Sequence, residues 1–298
     1  MDRTDVTFLS QGIRCAAWLY RPVSPGPHPC IILAHGLGAT RDMKLAEYAT
    51  YFVEAGLAAL VFDYRHFGAS DGEPCRLLDI RLQLADWVAA IAYVRTLDGI
   101  DLERIALWGT SFSGGHTIVT AARDQRIAAV AVQVPFTDGT TNIASEGFFG
   151  TLQLLRASIH DKLRQLLNKS PYYIKVAGAP GSLAALRTPG ALEGFQKFAS
   201  QQHWDDTITA RILLPIGFYR PIRSAPNVRC PLLVCICDQD QITSPQAALK
   251  TAKAAPHAEV LHYPGDHFDM YFDPIFEQAV TAQRDFFVRY LLPDKVRD

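Results

Sequence analysis

The chain has 298 residues, 49% of them hydrophobic, enough for one large core and long for a single plain domain. Its formal net charge is −1 and its Lys and Arg are scattered, so no field is available to attract nucleic acid or an acidic membrane. Six cysteines at irregular positions are too few for a disulfide framework in a chain this long, and a reducing compartment, the cytoplasm, is the expected setting.

In chain order, Met1-Asp2-Arg3-Thr4-Asp5 has no basic region leading into an apolar stretch, so no signal peptide is expected. Val6 to Leu9 and Cys15 to Tyr20 flank Ser10-Gln11-Gly12, which reads as an antiparallel hairpin. Cys30 to Ala34, Ala58 to Phe62, Ile105 to Trp108, Ala128 to Val134 and Leu232 to Cys237 are continuous apolar runs of strand length, as in a parallel sheet covered on both faces. Cys235 and Cys237 fall inside the last run and read as strand packing rather than as metal ligands. Even the stretch from Gly56 to Phe62 is far too short to span a bilayer. Between the runs, Ile80, Leu84, Trp87, Ile91 and Val94 recur at helical spacing and predict a crossover helix. A final helix is predicted after Pro274, carrying Ile275, Ala279, Phe286 and Phe287 and stopped by Pro293. The alternation predicts an α/β fold with right-handed crossovers.

The alternation breaks once. From 136 to 229 no strong buried strand is evident, and Leu152, Leu155, Ile159, Leu163 and Leu166 follow helical spacing. This stretch is expected to be a helical lid or cap, leaving 1–135 and 230–298 as the core. A homodimer contact could also form on it. Its aromatic residues (Phe148, Phe149, Tyr172, Tyr173, Phe195, Phe198, Trp204, Phe218 and Tyr219) would suit a fairly bulky apolar acyl group, though most are expected simply to pack the lid.

The strand Ile105–Trp108 runs through Gly109-Thr110-Ser111-Phe112-Ser113-Gly114-Gly115-His116 into the apolar-periodic Thr117-Ile118-Val119. Strand, tight turn and helix form the context of a nucleophile elbow, with small residues required two positions either side of the nucleophile. Ser111 has Gly109 and Ser113 there, so Gly-x-Ser-x-Gly is met loosely. A rival frame with Ser113 as nucleophile places His116 where the helix must pack closely, and it sets the serine too far past the strand end.

Four landmarks carry a resemblance to the α/β-hydrolase superfamily: His35-Gly36 after the first buried strand, Asp63-Tyr64-Arg65-His66-Phe67-Gly68-Ala69-Ser70 after the next, the Ser111 elbow, and a late Asp-then-His pair. More narrowly, Gly109 to His116 with Gln133-Val134-Pro135-Phe136-Thr137-Asp138-Gly139 is similar to the dienelactone-hydrolase and xylan-esterase-like group, and within it to polyketide-pathway thiohydrolases and polyketide transferases. The resemblance implies a mostly parallel eight-stranded sheet with helices on both faces and a triad in the chain order Ser, acid, His. Of the later histidines (His116, His160, His203, His257, His262 and His267), His267 lies in a loop after a strand-like run and becomes the expected base. Asp238 and Asp240 both follow the strand Leu232–Cys237, and the resemblance favours Asp240 as the acid. Phe112, after the nucleophile, and Leu37, in the loop after the first buried strand, are the expected backbone donors to an oxyanion. Asp63 and Arg65 are expected to be structural. No metal or other cofactor is expected.

The expected reaction is cleavage of a small-molecule ester or thioester, free or carrier-protein-bound, through an acyl-enzyme. With an alcohol in place of water the same triad would run acyl transfer. A serine nucleophile excludes the aspartate-based chemistry that shares the fold. A C–C bond hydrolase or peptidase is a further enzyme alternative. The alternative from another class is a catalytically silent binding protein; loss of a triad member would signal it, and none is lost.

Overall fold

The hairpin forms where expected. Strands β1 (Asp2–Ser10) and β2 (Ile13–Arg21) pair antiparallel out to Ser10 and Ile13. Gln11 and Gly12 bridge them with φ of 49° and 83°. Positive φ at both central residues marks the two-residue turn whose twist matches that of the strands. The computed structural model describes residues 2–199 and 205–292; His203, Trp204, Pro293 and the Phe148 side chain lie outside them.

β3 (His28–Ala34) is buried along its whole length, α1 (Leu45–Glu54) follows, and β4 (Ala58–Phe62) is again wholly buried. α2 (Ile80–Val94) buries Leu84, Trp87, Ala90, Ile91 and Val94. Its N-terminus is capped by Asp79, whose carboxylate accepts from the N–H groups of Arg81 at 2.8 Å and Leu82 at 3.2 Å, a contact typically worth about 1 kcal/mol. β5 (Ile100–Thr110), α3 (Phe112–Arg123) and β6 (Ala129–Gln133) follow.

The chain then leaves the main sheet. α4 (Gly139–Leu166) consists of two helical stretches meeting at Gly147. β7 (Tyr173–Ala177), β8 (Ala184–Leu186), α5 (Ala191–Ala199), β9 (Thr207–Thr209) and α6 (Leu213–Phe218) come next. The core resumes with β10 (Leu232–Cys237), α7 (Pro245–Ala254), β11 (Ala258–Tyr263) and α8 (Ile275–Leu291). The main sheet has eight strands in the order β1-β2-β4-β3-β5-β6-β10-β11, with every pairing from β4 to β11 parallel.

The strand order decides which face each helix covers. From β3 to β4 the chain moves one way across the sheet; from β4 to β5, β5 to β6 and β10 to β11 it moves the other way. Right-handed crossovers therefore put α1 on one face and α2, α3 and α7 on the opposite one. α8 joins α1, and α2 packs on α3. The direction reverses at β3, so the crevice where ligands bind in such sheets opens at the carboxyl ends of β3 and β5.

The expectation of a purely helical insertion needs correction. β7, β8 and β9 form a second, three-stranded sheet. β7 buries Ile174 and Val176 and exposes Lys175, a half-buried alternation that a search for continuous apolar runs passes over. The two stems of the insertion are fastened together. Asp138 caps α4 and takes a two-pronged contact from Arg220 at 2.9 and 2.7 Å. The Gly139 N–H donates to the Tyr219 carbonyl at 2.9 Å, and the Ile222 N–H to the Thr137 carbonyl at 2.9 Å.

Candidate active site

Ser111 stands between β5 and α3 with φ 54° and ψ −120°, a backbone conformation that costs a non-glycine residue on the order of 1–3 kcal/mol. Its surroundings hold it there. Its N–H donates to the Gln133 carbonyl at 3.0 Å, and its own carbonyl accepts from Gly114 at 3.0 Å and Phe136 at 2.8 Å. The turn is tight enough that a Cβ at Gly109 would lie 2.6 Å from the Ser113 carbonyl oxygen, and one at Gly115 would lie 2.3 Å from that of Phe136. A Cβ at Gly36 would come within 3.1 Å of the Ser111 Cβ, so the loop after β3 also presses on the elbow.

Ser113, the rival nucleophile, is fully buried, and its Oγ lies 2.8 Å from the Tyr64 hydroxyl, which also accepts from the Trp87 indole at 2.8 Å. Ser111 instead lines a cavity of about 330 Å³. Leu37 and Phe112 line the same cavity. Phe112 is the first residue of α3, so its N–H has no partner within the helix and sits at the positive end of the helix dipole.

Asp240 and His267 are brought together from the ends of β10 and β11. His267 Nδ1 lies 2.7 Å from Asp240 Oδ2, with both side chains almost wholly buried. The carboxylate can only accept, which puts the proton on Nδ1 and leaves Nε2 as an acceptor. Asp240 is held in turn. Its Oδ1 accepts from the N–H groups of Ile242 at 2.8 Å and Thr243 at 2.7 Å, and Oδ2 lies 2.7 Å from Thr243 Oγ1. Asp238 points elsewhere, to the exposed His262 at 2.7 Å.

The cavity wall is aliphatic rather than aromatic. Leu154 and Leu155 of α4, Leu186 of β8, and Leu213, Leu214 and Ile216 at α6 supply most of it, and among the described residues no charged side chain lines it. Of the insertion's aromatic residues singled out in the sequence, Phe218 alone among those described is a lining residue. Phe195 and Phe198 pack against Phe268 and Tyr271, Tyr172 meets His160, and the Tyr173 hydroxyl donates to the Cys75 carbonyl at 3.0 Å.

His116 and His35, the most deeply buried of the other histidines, are not joined to this pair. His116 Nδ1 lies 2.7 Å from the Tyr219 hydroxyl and Nε2 lies 3.0 Å from Gln83 Oε1, and burial pushes its pKa down to about 3. Burial likewise brings His35 down to about 4; its Nδ1 lies 3.0 Å from the Gly36 carbonyl. Asp63 and Arg65 take structural parts. Asp63 accepts from the N–H groups of Arg41 and Ala69, and Arg65 pairs with the buried Asp86 at 2.7 Å.

Sequence reasoning missed Thr243, Gln133, Tyr48 and Tyr271. Gln133 Nε2 donates to the Tyr48 hydroxyl at 3.0 Å and to Thr110 Oγ1 at 3.2 Å, and Thr110 also hydrogen-bonds the Tyr271 hydroxyl. Only Thr243 left a signal, a hydroxyl three positions after the acid.

A doubly covered parallel sheet, a serine in a left-handed turn at its carboxyl edge and a buried Asp–His pair define a hydrolase-type architecture. Residues 29–274 match the family model for the alpha/beta hydrolase fold, and the chain belongs to that family. It is 42% identical over 286 residues to the quorum-quenching protein AidA of Acinetobacter baumannii (strain MDR-ZJ06), covering 96% of this chain and 94% of that protein. It is 28% identical over 307 residues to the polyketide transferase grgF of Penicillium sp, covering 98% of each. The crystal structure of the alpha/beta hydrolase GrgF from Penicillium sp. sh18 has a TM-score of 0.82 at 24% identity, covering 98% of this chain and 100% of that one. Among the described residues no helix is long and apolar enough to cross a membrane.

Proposed function

We propose that the protein is a serine hydrolase that cleaves an ester or thioester of an apolar acyl group, with Ser111 as nucleophile, His267 as base and Asp240 as the acid. The reading is carried by the setting of Ser111: a strained turn opening on an apolar cavity, preceded by Thr110, which hydrogen-bonds Tyr271 of the short helix bearing His267. The acyl chain occupies the leucine-walled chamber, and the apolar lining among the described residues disfavours a charged acyl group.

Ser111 Oγ attacks the carbonyl carbon while His267 Nε2 takes its proton. Asp240 fixes the imidazole through Nδ1 and stabilises the cation that forms. The N–H groups of Phe112 and Leu37 receive the oxyanion; such a donor is worth roughly 10²–10³ in rate. The tetrahedral adduct collapses as His267 returns the proton to the departing alcohol or thiol. Water, with His267 again as base, then frees the acid from Ser111.

The likeness to a polyketide transferase supports a second reading, in which an alcohol takes the acyl group in place of water and a carrier-bound thioester is the donor. The relative named for quorum quenching supports a signalling molecule that carries the ester. A reducing compartment suits the six unpaired cysteines.

The test is hydrolysis of p-nitrophenyl esters of graded chain length, an N-acetylcysteamine thioester and an N-acyl homoserine lactone, wild type beside Ser111→Ala. Turnover should vanish in the variant, and the ranking of substrates assigns the leaving group. Equal rates in the two proteins would overturn the reading.

A further inference from the structure

A buried polar layer lies beneath the Ser111 elbow and takes no part in the chemistry just described. It begins at Trp108, whose indole N–H donates to Gln283 Oε1 at 2.7 Å. Gln283 Nε2 donates to Gln133 Oε1 at 2.9 Å. Gln133 Nε2 donates to the Tyr48 hydroxyl at 3.0 Å and to Thr110 Oγ1 at 3.2 Å. The Tyr48 hydroxyl donates onward to the Met270 carbonyl at 3.3 Å, and Thr110 Oγ1 and the Tyr271 hydroxyl share a further hydrogen bond. Donation runs one way along the branch from Trp108 to the Met270 carbonyl, and in the Thr110–Tyr271 bond either hydroxyl can donate. Bonds aligned in this manner polarise and strengthen one another in a dry interior. Burial raises the pKa of both tyrosines, so both hydroxyls keep their protons.

The 3-10 helix is held differently at its two ends. At its start, Asp266 caps the His267 N–H at 2.7 Å and accepts from Gln241 of the acid's loop at 3.0 Å. That end therefore moves with Asp240. Its far end is tied to the Ser111 side of the sheet by the two tyrosine hydroxyls. If they were lost, the Asp240–His267 pair would stay intact but could slip as a unit relative to Ser111.

We propose that Tyr271 and Tyr48 are positioning residues that set the register between the His267–Asp240 pair and Ser111. The proposal rests on the reading of Ser111 as nucleophile given above. Neither tyrosine is among the residues lining the cavity beside Ser111, so each acts on the rate of the covalent step and not on binding.

A fluorophosphonate reads that step without a known substrate. Ser111 Oγ bonds to phosphorus, its proton passes to His267 and then to solvent, and fluoride leaves. Tyr271→Phe and Tyr48→Phe each remove one oxygen and keep a packed ring. Each should lower the maximal labelling rate about tenfold, and the double variant by more than the product of the two, because small displacements of reacting groups are costly. The probe's dissociation constant before reaction should not change. The downfield proton resonance of His267 Nδ1–H should persist, since the pair itself is undisturbed. Wild-type labelling rates in both single variants and in the double variant would overturn the proposal, as would an effect confined to probe binding. Ser111→Ala is run beside them: labelling that survives in it sinks the nucleophile assignment, whereas its silence with unaffected tyrosine variants sinks the positioning role alone.

Discussion

Two positions separate Asp240 from Asp238, yet the Asp240 side chain is 2% exposed against His267 and that of Asp238 is 52% exposed against His262. Asp240→Asn should therefore cut turnover by on the order of 10³–10⁴, because the amide favours the wrong imidazole tautomer. Asp238→Asn should leave turnover within about twofold, its ion pair being exposed. Steady-state rates on one p-nitrophenyl ester decide between them, and reversed effects would move the acid to Asp238. His116 yields a stability prediction. Its folded pKa of about 3 lies below the ordinary 6.5, so across that window the unfolded chain binds a proton that the folded chain does not. The stabilisation is complete above pH 6.5 and drains away as the pH falls toward 3, at roughly 1.4 kcal/mol per pH unit. His35 acts with the same sign; Asp63, raised by burial to about 6, acts oppositely. Denaturant unfolding of wild type beside His116→Gln isolates the group, and the wild type should show the steeper acid loss by up to one proton. Parallel profiles would mean that His116 already carries its proton when folded.

At the scale of elements, the wholly buried strands were the most legible. The run Leu232–Cys237 is β10 residue for residue, Ala58–Phe62 is β4, and the stripe from Ile80 to Val94 is α2. A strand buried on both faces needs only a continuous apolar run, which a sequence displays locally. β7 to β9 escaped notice because they are short and half-buried, with partners supplied from elsewhere in the insertion. The helical spacing in α4 did not give its facing. Ile159, Leu163 and Leu166 of the helical stripe are exposed, while Leu155 of the same stripe and Leu154 beside it reach the cavity. Which side of an amphipathic helix meets the core depends on the kink at Gly147 and on the position of α6, and neither is written in the spacing. The leucine wall gives a prediction at this scale. Leu154→Trp should shorten the preferred acyl chain, with kcat/KM for long esters falling about fourfold for each methylene that no longer fits and short esters little affected. A chain-length profile that keeps its shape would place the acyl group elsewhere.

For the molecule as a whole, the sequence order of Ser111, Asp240 and His267 was enough to nominate three residues. The network that ties them was not legible, because Thr243 reaches back to the Val134 carbonyl, Tyr271 to Thr110 and Gln283 to Gln133 across more than a hundred residues each. Stretch 136–229 was expected as one insertion, and its stems are fastened at Thr137–Gly139 and Tyr219–Ile222. Inside it, Asp161 of α4 accepts from Arg211 through both guanidinium contacts, at 2.7 and 2.9 Å, and from the Tyr172 N–H at 2.8 Å. Asp161→Ala leaves the guanidinium unpaired in a largely buried site, a change that costs roughly 3–5 kcal/mol. Hydrogen exchange should quicken in α4 and β7 while β3 to β6 keep their protection. Uniform loss across both regions would mean that the insertion and the sheet unfold together.

The chain enters and leaves its insertion at a single doorway, pinned by Asp138 and Arg220. The strand ends that carry Ser111, Asp240 and His267 do not pass through it, yet Phe195 and Phe198 beyond it pack on Phe268 and Tyr271 beside His267, so what lies there is exchangeable only with that contact kept. On the proposed function, a lineage trades one acyl chain for another by rewriting the cavity-facing residues of 139–218, such as Leu154, Leu155 and Leu214, while that contact stays fixed.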